Sequence, residues 1–386
     1  MRRHLMETLK FIFWISALLI FYTYIGYFLL LKFISLIIKR HQETPNTEVN
    51  LMSVTIVITA HNEEKLIERR IDNCLKLDYP NDLLEIIIAS DGSTDRTNEI
   101  VLAKAREYPN IKLLHIPSHK GRAFILNNAI KKVNNEIILF SDANTLFNED
   151  YLLQIIKAFN DPEVGCVGGQ LTYANFNNNI ITQNESLYWK VESKIRQLES
   201  ELGILTSVSG CNFAIRKKLF TPISLAHEID DIYPYRSIKA GFKVIHQRRA
   251  KAFEDSPETI GHQLYSRERI LIQGLPGILN EIKDPFFLKN PRLLFSVISH
   301  RFIRWISPLF LIILLISNTF MLSIGFYRFL FTLQILFMLS GLIGLLFNTY
   351  KRKVKIIGSL FAFYLANLGF LLGLIKLIGN VRMSKY

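Results

Sequence analysis

The chain has 386 residues, a formal net charge of +13 and a mean hydropathy of +0.21. That length is too great for one small domain, and the hydropathy is too high for a wholly soluble enzyme. Cys74, Cys166 and Cys211 are odd in number and lack metal-ligand spacing, so a disulfide framework is excluded in favour of buried thiols in a reducing compartment.

Residues 11–31 form an uncharged apolar run, and roughly 20 such residues suffice to cross a bilayer as a helix. Lys32, Phe33 and Ile34 offer no small-residue cleavage site. Residues 1–40 are therefore expected to persist as a transmembrane helix instead of leaving as a signal peptide. Residues 41–52 read as a polar linker with Pro45.

From residue 54 onward, β-branched runs alternate with amphipathic stretches. Strands are predicted at 54–59, 85–89, 112–116 and 137–140, with helices at about 65–77, 96–107 and 122–132 between and after them. Such alternation argues for right-handed βαβ units, a mostly parallel sheet and the α/β class. A helix at 149–159, a strand at 164–168 and a long polar helix at 182–201 then lead to SerGlyCysAsnPheAlaIleArg at 209–216.

Four acidic landmarks stand in this stretch: Glu63 in ThrAlaHisAsnGluGlu, Asp91 in AlaSerAspGlySerThrAsp, Asp142 in PheSerAspAlaAsn, and Asp231 in GluIleAspAsp. The first three follow buried-strand patterns, and open α/β sheets bind ligands at the carboxyl ends of their strands.

Between 271 and 305, Gly274, Pro276, Gly277, Pro285 and Pro291 are expected to break the chain into short amphipathic pieces lying in the headgroup plane. Three further spans are expected at 306–327, 329–350 and 356–375. The basic loop LysArgLysValLys at 351–355 should face the cytoplasm, and counting back across the spans puts the polar domain there too. The positive charge suits anionic lipid headgroups and phosphorylated substrates. Nucleic acid is not expected as a partner, because no basic-aromatic stripe or zinc pattern occurs.

ThrIleValIleThrAlaHisAsnGluGlu, SerAspGlySerThrAspArgThr, HisLysGlyArgAlaPheIleLeuAsnAsnAla, SerAspAlaAsnThr, GlyCysAsnPheAlaIleArgLys, and IleAspAsp followed by AlaGlyPheLysVal together resemble the membrane-associated family-2 inverting glycosyltransferases. Cellulose synthase, hyaluronan synthase and poly-N-acetylglucosamine synthase are of that group. The resemblance covers about residues 53–274. It implies a GT-A (Rossmann-like) sheet domain at 53–270, amphipathic interface helices at 271–305 and three transmembrane helices at 306–380.

The resemblance further implies a nucleotide-sugar donor, a UDP-sugar, and a glycan or lipid-linked acceptor for cell-surface polysaccharide or glycolipid synthesis at the inner or plasma membrane. His61, Glu63, Asp91, Lys120 and Asp142 would bind the nucleotide, with Asp142 and Asn144 holding Mg²⁺ or Mn²⁺ where the family has its DXD motif. Asn144 departs from that motif by supplying an amide oxygen in place of a second carboxylate. Asp231 would be the catalytic base. Gly210, Asn212, Asp230, Arg267 and Arg269 would stand on the acceptor or diphosphate side, while Arg122 and Asn127 read as helix surface and packing.

Without the resemblance, AspGlySerThrAsp, AspAlaAsn and the acidic pair at 230–231 also read as turn and cap chemistry, and Lys120 as a solvated lysine. The Gln-x-x-Arg-Trp platform of processive members is absent; TyrSerArgGluArgIleLeuIleGlnGly at 265–274 has Ile270 in place of the tryptophan. Single additions are therefore expected, with a processive synthase and an inactive nucleotide-sugar-binding subunit of an export complex as alternatives. Export or assembly partners are compatible with either.

Overall fold

The structure, a computed structural model, describes residues 2–38, 49–175, 180–223, 228–256, 258–349 and 355–379. The expected linker at 41–48 and most of the basic loop, 351–354, lie outside the described residues. Helix α1 (Arg2–Phe21) passes through a π-helical turn (Tyr22–Gly26) into α2 (Tyr27–Ile37). Next come β1 (Val54–Ala60), α3 (Ile67–Leu75), β2 (Leu84–Asp91), α4 (Thr97–Glu107), β3 (Ile111–Ile116), α5 (Arg122–Ile130), β4 (Ile137–Asp142), β5 (Leu146–Phe147) and α6 (Tyr151–Phe159). The sheet domain continues through β6 (Val164–Tyr173), α7 (Ile180–Glu201), β7 (Asn212–Arg216), α8 (Ile229–Lys239) and β8 (Lys243–Glu254). The remainder is helical: α9 (Ile260–Lys283), α10 (Pro285–Lys289), α11 (Pro291–Ser296), a π-helical segment (Val297–Phe302), α12 (Ile303–Thr319), α13 (Gly325–Thr349) and α14 (Lys355–Ile378).

The strands form one sheet in the order β3-β2-β1-β4-β7-β6-β8-β5. Pairing is parallel from β3 to β4 and between β6 and β8; β7 runs against both its neighbours, and β5 runs against β8. This is the mostly parallel, Rossmann-like α/β architecture of a GT-A fold. Every residue of β1 is buried, as expected of a strand covered on both faces. Ile56, Ile58 and Ile71 belong to the core on one face, and Val57, Ile125 and Phe213 to the core on the other.

Among the described residues, four helical stretches are long and apolar enough to cross a membrane: Arg3–Ile37, Pro291–Thr319, Gly325–Leu346 and Gly358–Ile378. Two expectations need correction. The chain turns at 320–324 instead of at Arg328, because Met321 packs with Phe13 and Tyr327 and Arg328 Nε donates to the Leu322 carbonyl at 3.1 Å. The polar Ser317, Asn318 and Thr319 and Gly325 flank this turn in the sequence. Likewise α9 runs unbroken through Gly274, Pro276 and Gly277. Its other face is held by α14, where the bare Cα atoms of Gly369 and Gly373 let the two helices pack closely around Arg267, Glu268 and Leu271. That packing outweighs the local cost of proline and glycine.

A buried polar knot joins the sheet domain to the apolar helices. Glu192 and Glu199 lie two turns apart on α7, and His300 sits between them, its Nε2 3.0 Å from Glu192 and its Nδ1 2.9 Å from Glu199. Tyr27 Oη donates to Glu199 at 2.6 Å, while Arg304 and Arg196 donate to Glu192 at 2.7 and 3.1 Å. Burial pushes the Glu192 carboxyl up, but His300, Arg304 and Arg196 more than offset it and hold the group well below the usual carboxylate range.

Gly165 tests the packing of the sheet. It lies at the irregularity in the β6–β8 pairing, and a Cβ there would stand 2.5 Å from Phe242 Cβ and 2.7 Å from Leu219 Cδ1. Gly165→Ala should destabilise the protein by about 1–3 kcal/mol through overpacking. Thermal unfolding of the detergent-solubilised variant checks it: an unchanged Tm would mean that Phe242 yields freely.

Candidate active site

The parallel register brings three strand ends to one edge. Thr59 on β1 pairs with Asp142 on β4, and Ala60 pairs with Ser90, one residue before Asp91 on β2. The loop after β1 carries His61 and Glu63. Asn62 adopts a φ of 55°, a left-handed conformation held by the Ser93 hydroxyl on its amide and by its own side chain accepting from Thr94 N. Such strain persists only where the surroundings fix it.

Asp91, expected on the nucleotide side, is wholly buried beneath the loop that opens α5. Its carboxylate accepts the backbone amides of Lys120 at 2.8 Å and Gly121 at 2.7 Å, with His119 Nδ1 3.0 Å away. It thereby fixes the loop that starts α5. Gly92, at a φ of 70°, lets that loop approach; a side chain there would run into the His119 backbone. The His61 ring stands 4.4 Å from that of His119, and Lys120 lies exposed on the loop.

Beside this edge opens a cavity of about 620 Å³. Arg122, on the first turn of α5, reaches into it and donates to Asp142 Oδ1 at 2.6 Å and to the Gly210 carbonyl at 3.0 Å. The same Asp142 oxygen accepts from the Thr59 hydroxyl at 3.1 Å, whereas Oδ2 has no partner among the described residues. Asn144 is exposed to the cavity two residues on. Among the described residues no three His, Cys, Asp or Glu side chains gather as a metal site. The open Asp142 oxygen and the Asn144 amide fit a hard cation whose remaining ligands come from a bound molecule.

Across the cavity, a Cβ on Gly210 would lie 3.5 Å from the Asp230 carboxyl carbon and 3.7 Å from Arg122 Nη1, so the glycine leaves a gap between acid and base. Burial raises the Glu228 carboxyl, and Asp230 beside it raises it further, against the pull of Arg122 and Arg269. Burial likewise raises Glu63, reinforced by Asp142 and Asp95, and it raises Glu254, whose Oε1 accepts from Thr145. At this end of the site, carboxylates gather around Arg122, with Arg269 also acting on Glu228.

Asp231 also borders the cavity, but its carboxylate is ion-paired with Arg301, whose guanidinium lies 5.3 Å from the Trp305 ring centre. Arg267 is committed to Glu185, donating to its two oxygens at 2.7 and 2.9 Å, while Arg269 faces the carboxylates. Asn212 does not line the cavity as expected: it is buried in β7, and its amide side chain has no partner among the described residues. Asn127 holds Ile223 by two hydrogen bonds and is a packing residue, as expected. Arg122 was missed because its partners are distant in sequence, with the glycine opening α5 as its signal, and Glu228 because its burial is set only by the fold. Trp305 joins the cavity because Gly274 leaves room for its ring.

Residues 55–223 match the family model described as Glycosyl transferase family 2, so the chain carries a family-2 glycosyltransferase domain. It is 27% identical over 262 residues to a probable glycosyltransferase, YdaM, of Bacillus subtilis, covering 64% of this chain and 61% of that protein. It is 29% identical over 171 residues to a beta-monoglucosyldiacylglycerol synthase of Nostoc, covering 44% and 36%. A poly-beta-1,6-N-acetyl-D-glucosamine synthase of Staphylococcus aureus is 25% identical over 217 residues, covering 55% and 52%. The matches thus span between about a third and three fifths of these relatives' lengths. A mannosyltransferase of Pyrobaculum calidifontis, solved with GDP-Man and Mn²⁺, shares the fold with a TM-score of 0.72 at 18% identity, covering 99% of this chain and all of that one.

Glu228 gives a pH prediction. Its folded-state carboxyl is raised, so the folded protein binds more protons than the unfolded chain and this group costs stability as pH rises through its folded value. Glu228→Gln should raise the Tm at pH 7, and the gain should disappear below about pH 4, where both states are protonated. A pH series of thermal melts decides it; an equal gain at all pH values would place the effect elsewhere.

Proposed function

We propose that this family-2 glycosyltransferase domain moves a sugar from a UDP-sugar, with inversion, to a hydroxyl of a glycan or lipid-linked acceptor at the cytoplasmic face of the cell membrane. The observation that carries this is the cavity itself, which sets Arg122, Asp142 and Asn144 on one side of Gly210 and Glu228 and Asp230 on the other. The first group suits a diphosphate, and the second suits a hydroxyl about to lose its proton. The family-2 domain, the glycosyltransferase relatives and the GT-A fold support the reaction class.

In the transfer, the acceptor oxygen attacks the anomeric carbon, the bond from that carbon to the diphosphate oxygen breaks, and the nucleoside diphosphate leaves. The hydroxyl proton passes to a carboxylate. Asp231 was the expected base, but its carboxylate is engaged by Arg301 from the apolar helices. Asp230, against Gly210, is the better-placed base, and Asp231 acts through Arg301 to hold α8 against the apolar helices. Asp142 and Asn144 would hold Mg²⁺ or Mn²⁺. The cation, when bound, neutralises charge on the departing diphosphate. Arg122 orients Asp142 and adds its own positive charge, and Arg269 stands within reach of the same region. Glu63, His61 and Lys120 flank the nucleotide side, with Asp91 shaping their loop. Single additions are proposed because α9 carries Ile270 where a stacking ring would be needed.

Purified protein incubated with UDP-glucose, UDP-N-acetylglucosamine, UDP-galactose and GDP-mannose, each with Mn²⁺, tests the donor; transfer from GDP-mannose alone would overturn the uridine assignment. Asp230→Asn should lower kcat by about 10²–10⁴-fold, with UDP affinity nearly intact, whereas Asp231→Asn should act more mildly. If the order is reversed, Asp231 is the base. Asp142→Ala should weaken Mn²⁺-dependent UDP binding in calorimetry, and Asn144→Asp should strengthen it; metal-linked affinity that neither change alters would remove this loop from the site.

A further inference from the structure

A second cavity, of about 320 Å³, lies on the membrane side of the first. Its walls come from the apolar helices: Tyr24 and Phe28 from the first helical stretch, and Phe363, Ala366 and Phe370 from α14. Its inner end is formed by Tyr188, Glu192, Gln263, Arg267 and Arg304, residues that also border the larger cavity. The two spaces therefore meet across a shared polar wall. The volume is at the low end for ligand pockets, and the outer walls offer a sugar polymer few hydrogen-bonding partners.

Resting on the transfer reaction proposed above, we infer that this cavity receives one alkyl chain of the acceptor, and that the acceptor is an uncharged, hydroxyl-headed lipid of the acylglycerol or glycolipid class. The chain enters between the first helical stretch and α14, and the head reaches past Gln263 to the carboxylates at Gly210. The charge at the junction sets the head group. Arg267 is matched by Glu185 and Arg304 by Glu192, so a phosphate arriving there would meet a carboxylate beside each guanidinium. A neutral polyol meets paired donors and acceptors instead. Transfer to the lipid hydroxyl proceeds as in the balanced reaction above, with the proton going to the carboxylate and the nucleoside diphosphate leaving.

The test uses the full chain in nanodiscs and a dodecyl glucoside carrying a mid-chain diazirine. Irradiation should label peptides from the first helical stretch and α14, and unlabelled dodecyl glucoside should compete. Ala366→Trp, which fills the cavity without touching the carboxylates, should cut labelling at least tenfold and cut transfer to dodecyl glucoside similarly, leaving donor hydrolysis unchanged. Ala366→Ser, which changes the volume little, should retain labelling and so separates filling from misfolding. Labelling confined to outward-facing residues, labelling that Ala366→Trp does not alter, or efficient labelling only by a dodecyl phosphate probe would overturn the inference. Labelling is read without turnover. Failure of the transferase reading would show separately, as no nucleotide release from any donor by the unaltered protein.

Discussion

Everything that distinguishes this chain from a soluble sheet domain depends on the ion-paired knot of Glu192, Glu199, His300 and Arg304. Charged groups leave water only at a cost of several kcal/mol each unless each finds partners. Here every member has them: two carboxylates on one face of α7 close around an imidazole from the π-helical segment, with Arg304 and Tyr27 completing the set. The knot fixes α7 against both the first helical stretch and the segment leading into α12. Because α7 also walls the larger cavity, the position of the apolar helices and the shape of the candidate site are set by the same contacts.

Much of the sheet was legible in the sequence because its signals are local. ThrIleValIleThr, GluIleIleIleAla and GluIleIleLeuPhe could only be buried strands, and each ended in the polar residues that now stand at the sheet edge. What was not legible depends on long-range packing. Gly274, Pro276 and Gly277 look like breaks until α14 is laid along α9, and at the turn at 320–324 the single charge of Arg328 outweighed the uncharged Ser317, Asn318 and Thr319 as a marker. In the site, Asp142 and Asn144 were picked out by the resemblance to the DXD motif, and both border the cavity. The separate surroundings of Asp230 and Asp231 were invisible, because adjacent residues on a helix point about 100° apart and only the fold shows which one meets Arg301. Arg122 was read as surface for the same reason: its partners lie 20 and 88 positions away.

The organisation of the cavity follows from charge density. Asp142, Glu228, Asp230 and Glu254 share a half-buried space; burial raises Glu228 and Glu254, and neighbouring carboxylates raise them further. Arg122 offsets part of this rise, and an incoming cation would offset more. Crowded carboxylates are thus a reason for the site to prefer a cation-bearing ligand complex over emptiness.

The hydrogen bond from Tyr27 to Glu199 spans 172 residues, and the one from Trp14 to Tyr327 spans 313. A ribosome adding about 5–20 residues per second therefore delivers the first helical stretch long before its partners exist. During that interval the Tyr27 hydroxyl must be satisfied elsewhere, and the sheet domain must mature while tethered by a helix with which it has not yet docked. Biogenesis thus has a built-in order: the first apolar helix, then domain folding, then closure of the polar knot as the last third of the chain emerges.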